Sequence, residues 1–154
     1  MSLDLPGTKM VIGKGPQEDE LKRRYPAVKF MGQLENGTLA GHLAAADVFV
    51  FPSLTDTFGV VQLEALASGL PIAAFPVTGP KDVVANHPIG VLDDDLRAAC
   101  LGALKMSRAA CRAFALEYSW EKSARQFIGH IQKIATGSHP QPSLEMAAPA
   151  TVHG

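Results

Sequence analysis

Two carboxylates stand eight residues apart in "FPSLTDTFGVVQLEALASGLP", the stretch from Phe51 to Pro71. Asp56 lies in a short polar turn and Glu64 inside an apolar helical run. Ionised carboxylates accept hydrogen bonds from neighbouring hydroxyl groups well. Between them the chain enters a helix, and free backbone N–H groups with the positive end of the dipole make such an entry an anion site. Gly59 lets the backbone come close to a guest there. Phosphates at the centre and hydroxyls on both flanks describe a nucleotide sugar. Plainer readings stand beside this one. Glu64 equally suits capping a backbone group or pairing with a lysine at the helix edge, and Gly59 suits simply opening the helix.

On a helical wheel Glu64 shares a face with Val60, Leu63 and Ala67. Six of the nine residues in "VVQLEALAS" are apolar, so the helix is expected to pack on more than one side. A carboxylate buried there without partners would cost several kcal/mol or lose its charge. A ligand facing Glu64 removes that conflict.

The elements that must position these groups alternate along the chain. Apolar runs at Thr8–Gly13, Ala27–Gly32, Asp47–Ser53 and "PIAAFPV" read as buried strands, with "IGVLDD" a weaker fifth. Helical patterns separate them. The one after Pro16 carries acids first and bases last, which suits the dipole. Phe58–Ser68 is closed by Gly69 and Pro71, and a short helix opens at Pro80. From Asp94 the pattern is helical to about Met106, then Arg108–Tyr118, then Trp120 to about Ile134, with Ser119 a fitting N-cap. Residues 1–135 thus read as one domain and 136–154, rich in Pro, Ser and Ala, as a disordered tail.

Strands apolar along their whole length and alternating with helices imply an α/β, doubly wound parallel sheet, Rossmann-like, covered on both faces. Five parallel strands are expected, with Asp47–Ser53 central. Ligands bind outside the carboxyl ends of such strands, at Gly13–Pro16, Gly32–Asn36, Ser53–Gly59 and Val77–Pro80.

Composition narrows the classes. With 154 residues, 47% of them hydrophobic, 19% charged, and a net charge of −1, the chain suits one globular domain and not a nucleic-acid binder. Cys100 and Cys111 have neither disulfide-framework nor metal-ligand spacing and read as small core residues. No apolar run reaches the roughly 18 to 20 residues of a membrane span, and "MSLDLPG" lacks the features of a signal peptide. A cytoplasmic protein is expected, with contact to a membrane surface left open. A dinucleotide fingerprint fails, because Gly13 and Gly15 are followed at the third position by Glu18.

"FPSLTDTFGVVQLEALASGLPIAA" resembles the donor-binding signature of the retaining glycosyltransferases of family 4, the group 1 glycosyl transferases: an acid, seven residues, a glutamate, and an Ala-rich helix ended by Gly and Pro. "VIGKGP" (Val11–Pro16), "VKFMGQL" (Val28–Leu34) and "YSWEKSARQF" (Tyr118–Phe127) resemble the same family in the same order. The resemblance implies the C-terminal, nucleotide-sugar-binding half of a two-domain GT-B fold. The first strand and helix of that half would be absent, along with the Arg and Lys that they carry and the N-terminal acceptor domain. It matches Glu64 to the residue on the ribose, Asp56 to the acid on the transferred sugar, and Phe58, Gly59 and Val60 to the backbone at sugar and diphosphate. Gly32, Gln33 and Leu34 match the loop at the base. Gly13 and Gly15 shape the first loop, where Lys14 suits phosphate or solvent.

Transfer with retention would then rely on the donor's own phosphate to take the acceptor proton, with no metal or other cofactor and the nucleoside diphosphate sugar as substrate. The 154 residues alone are expected to bind poorly and to be inactive. Asp56 replaces the usual Glu, one methylene shorter. "VTGPKD" carries Thr78 where a second Gly is common and Asp82 where Glu is common. A non-catalytic nucleotide-sugar-binding module and a GT-B epimerase or phosphorylase relative are the alternatives.

Overall fold

The computed structural model describes residues 3–55 and 59–118, together with Glu121, Lys122, Ala124, Arg125, Ile128, Gly129 and Ile131. The chain divides into two units, Met1–Tyr118 and Ser119–Gly154. The described residues of the second are helical, and in it Arg125 Nη2 donates to Glu121 Oε1 at 2.6 Å. Ser119 as a cap and the 136–154 tail lie outside the described residues.

The first unit alternates β1 (Met10–Val11), α1 (Glu18–Arg24), β2 (Lys29–Phe30), α2 (Asn36–Ala45), β3 (Phe49–Phe51), α3 (Val60–Ala67) and β4 (Ile72–Ala74). It continues through α4 (Pro80–Val84), β5 (Gly90–Leu92), α5 (Leu96–Ala103) and α6 (Arg108–Leu116). Every strand lies inside its apolar run and is shorter than it. All pairings are parallel, with Met10 opposite Lys29, Phe49 opposite Ile72 and Ile72 opposite Gly90.

The strands do not form one sheet. They split into a β1–β2 pair and a β3–β4–β5 sheet, so β4 and not β3 is central. Apolarity along a strand reports burial of its two faces and says nothing about which edges are paired. That is why the expected central position of Asp47–Ser53 was wrong.

Both faces of the larger sheet are covered. Ile72 and Ala74 pack with Leu43, Leu66, Val83 and Cys111 from α2, α3, α4 and α6. Ala73, pointing the other way, packs with Leu96, Ala99, Cys100 and Ala103 of α5. The termini of the helices follow from local chemistry. Asp95 and Ser107 accept the N–H groups of Arg97 and Ala110 as N-caps, and Pro80 stands at the first turn of α4. At the end of α3, Gly69 is left-handed (φ 78°); its N–H donates to Leu66 O, and that of Leu70 to Ala65 O. Those two bonds are a Schellman motif.

Gly90 is required for a different reason. A Cβ there would lie 2.5 Å from Ile72 O and 3.0 Å from Val84 Cγ1, so Gly90→Ala should destabilise the unit by about 1–3 kcal/mol in chemical denaturation. Burial pushes the thiols of both Cys100 and Cys111 up from their ordinary value. A raised folded-state value means that stability is complete below the unfolded-state value and is lost as pH climbs through the folded-state one. Stability should therefore fall at alkaline pH, and both thiols should resist alkylation at pH 8 until the protein is unfolded.

Candidate functional site

The carboxyl ends of β1 to β4 lead into four turns, and glycine sits at each. Gly13, Gly32, Gly59 and Gly79 all have positive φ (124°, 67°, 70° and 87°). The first two turns are tied together by the N–H of Gly13 donating to Gly32 O at 2.7 Å. Lys14 lies over this junction, its Cε 3.6 Å from where a Cβ on Gly32 would be. Beside it opens a groove of about 800 Å³ lined by Lys14, Gln33, Leu34, Glu35 and Gly37. Of the sequence-predicted residues, Gly13, Gly32, Gln33 and Leu34 are thus gathered around one opening. Gly15 is exposed and accepts the N–H of Glu18 at the entry to α1. A smaller cavity of about 300 Å³, lined by Leu5, Lys9, Arg24 and Tyr25 among others, lies at the opposite, amino ends of β1 and β2. That is the wrong end of a parallel sheet for a ligand site.

The second component is the start of α3. Gly59 is its N-cap in left-handed conformation, and no side chain caps it among the described residues. The first N–H groups of a helix have no intrahelical acceptor, and among the described residues no side chain takes that role here. Asp56 and Phe58 lie outside the described residues.

Glu64 differs from expectation. The helix is not buried around its full circumference: Gln62, Ala65 and Leu66 are buried, while Glu64 is exposed and Val60 is 57% exposed. Glu64 and Val60, one turn apart, form an open face running from the helix N-terminus. No buried carboxylate needs to be explained, since six apolar residues out of nine are satisfied by a helix buried on one side only. The polar residue inside the core is Gln62. Its Nε2 would be 2.7 Å from a Cβ on Gly59, and Phe51 Cζ would be 3.1 Å from it. Gln62 and Phe51 therefore hold the turn from beneath. The sequence signal was a lone amide three residues after a glycine, within an apolar run.

Sequence reading also missed the two arginines that fix the other ends of the site helices. From α6, Arg108 donates to the carbonyls of Ala44 and Ala46 at the end of α2, at 2.8 Å to Ala44. Arg112 Nη1 donates to Ala67 O at the end of α3 at 2.7 Å. Guanidinium groups at helix C-termini satisfy orphan carbonyls and oppose the dipole.

Residues 7–106 match the family model described as glycosyl transferases group 1. A GDP-mannose-dependent alpha-mannosyltransferase of Mycolicibacterium smegmatis is 32% identical over 134 residues, covering 81% of this chain and 36% of its own. A sulfoquinovosyl transferase of Arabidopsis thaliana is 42% identical over 82 residues, covering 51% of this chain and 16% of its own. Among solved structures, the sucrose-phosphate synthase of Thermosynechococcus elongatus superposes with a TM-score of 0.65 at 25% identity, over 84% of this chain and 39% of that one. The chain spans about a third of the length of the mannosyltransferase it matches. These neighbours are GT-B glycosyltransferases, and the parallel α/β unit is one Rossmann-like part of that fold.

The Gly59 turn provides the test of this geometry. Gly59→Ala must shift Gln62 or Phe51 and also adopt a positive φ, so a loss of about 1–3 kcal/mol of stability is expected. Gly37→Ala, with open space around its Cβ position, should leave the melting temperature within about a degree or raise it slightly through helix propensity.

Proposed function

Because the chain belongs to the glycosyl transferases group 1 family, we propose that these carboxyl-end turns form the donor half of a retaining glycosyltransferase using a nucleoside diphosphate sugar. The observation that carries this reading is the open, glycine-led N-terminus of α3 with the exposed Glu64 one turn beyond it. Backbone N–H groups at Gly59 and Val60 receive the diphosphate, and Phe58 and Asp56 flank the transferred sugar. The Glu64 carboxylate takes the ribose hydroxyls. Gly32, Gln33 and Leu34 line the place for the base, with Gly13 and Gly15 shaping the turn beside it and Lys14 able to reach phosphate.

The protein's part in the reaction is positioning the donor and stabilising charge on the departing diphosphate, for which the dipole of α3 is aimed correctly. The departing phosphate oxygen takes the acceptor proton, and the new bond forms on the face that the old one leaves. An acceptor half outside these 154 residues completes the cleft; without it the chain binds donor weakly and does not turn over. A guanosine diphosphate sugar is the first donor to try, because the mannosyltransferase relatives are GDP-mannose-dependent. One relative, from Corynebacterium glutamicum, is named for a phosphatidylinositol monomannoside acceptor, which supports contact with a membrane surface. No helix among the described residues is long and apolar enough to cross one.

Two substitutions in the full-length enzyme separate the roles. Glu64→Gln should weaken donor binding by about 1–3 kcal/mol through loss of charge-assisted bonds while leaving the melting temperature unchanged, since the side chain is exposed. Unfolding with donor affinity intact would make Glu64 structural. Asp56→Asn should leave nucleoside diphosphate affinity nearly unchanged and reduce turnover, because contacts to the reacting sugar matter most in the transition state. Equal losses in both measurements would place Asp56 at the phosphates or in the fold.

A further inference from the structure

The groove beside Lys14 has one charged wall residue whose side chain the helix behind it does not use. Glu35 is the N-cap of the ten-residue α2, with extended backbone (φ −73°, ψ 155°). Its carbonyl accepts the N–H of Leu39 at 2.8 Å and so starts the helix, but its side chain makes no cap hydrogen bond. N-cap positions favour Ser, Thr, Asp and Asn, whose short side chains bond back to the first turn. The glutamate is longer and here does not. It is exposed and lines the groove with Lys14, Gln33, Leu34 and Gly37. Among the described residues no ion pair engages it, with Lys14 or any other cation.

The side chains around the groove differ in what they can tell apart. The Gln33 amide both donates and accepts, so it can meet any base edge. Leu34, half-buried, offers apolar contact to the face of a ring. The Lys14 ammonium only donates, and an ionised carboxylate such as Glu35 only accepts. Among the common nucleobases guanine alone carries two neighbouring donors, N1–H and the 2-amino group, which one carboxylate can take with its two oxygens. Uracil has a single N–H between two carbonyls, and adenine and cytosine set an amino group beside a bare ring nitrogen. Each of those edges turns at least one lone pair toward a carboxylate oxygen, which repels it. Guanine O6, next to N1, is in turn an acceptor suited to a lysine.

We propose, resting on the donor-site reading above, that Glu35 selects the base of the donor and that the base is guanine. The carboxylate accepts from N1–H and from the 2-amino group while the ring lies along Leu34. Its place at the N-cap holds it at the carboxyl end of β2, beside the turn at Gly32. The positive end of the α2 dipole favours a negative charge there before any ligand arrives.

Binding of four nucleoside diphosphates to the full-length protein, measured by titration calorimetry, tests this role: GDP, inosine diphosphate (which lacks only the 2-amino group), UDP and ADP. The unaltered protein should bind GDP most tightly, roughly tenfold over inosine diphosphate, which forgoes one bond to a charged group. Glu35→Ala should weaken GDP by roughly 5- to 150-fold, bring GDP and inosine diphosphate together, and leave UDP and ADP unchanged. Glu35→Gln presents one acceptor and one donor, the complement of the adenine edge, so its preference should move from GDP toward ADP. A merely structural role would produce no such exchange. Equal affinity of the unaltered protein for GDP and inosine diphosphate, or a uniform loss for all four in Glu35→Ala, overturns the assignment. If all four bind without guanine preference and Glu64→Gln weakens them alike, the donor site stands and only the role of Glu35 falls. Failure of all four to bind overturns the donor site and the role of Glu35 with it.

Discussion

The burial of β4 on both faces is the constraint on which the rest of the unit depends. Ile72, Ala73 and Ala74 are all fully buried, with parallel partners on either side. A strand so enclosed has no polar face, and its two alanines are small enough for α5 and α3 to approach closely. Gly90, on the neighbouring strand, meets the same requirement by having no side chain at all. Once β4 is fixed, the helices are distributed to the two faces, and the N-terminus of α3 is aimed at the carboxyl ends of the strands. The candidate site is therefore a by-product of how a narrow central strand is covered.

Much of this was legible in the sequence. The apolar runs around Val11, Phe30, Val50, Ala73 and Val91 are where the strands are, although burial on both faces is complete only for β4, while Met10 and Lys29 in the smaller pair are exposed. The Gly69–Pro71 stop was equally clear, since only glycine fits the left-handed residue of that helix end. What failed was information that one strand or helix does not contain. Edge pairing depends on neighbours, so the division into two sheets was invisible. The depth at which α3 is buried depends on its packing partners, so Glu64 was placed in a crowded setting when the buried polar side chain is Gln62. The arginines of α6 read as ordinary surface charge because their acceptors are backbone carbonyls more than 40 residues away.

The site itself is half legible for a related reason. Turn glycines announce their positions, and Gly13, Gly32, Gly59 and Gly79 do all adopt positive φ. Whether the turns meet around one opening is a tertiary property. For the first two they do, through the bond between Gly13 and Gly32 and the groove beside Lys14.

The reach of Arg108 and Arg112 has a mechanical corollary. Their guanidinium groups tie the trailing ends of α2 and α3 to a single third helix, which fixes the spacing between those two ends. The leading end of α3 is held differently, at Gly59, whose left-handed backbone lies close against Gln62 and Phe51. The helix that carries the candidate site is thus braced at both ends, by a guanidinium group at its tail and by an amide and an aromatic ring at its head.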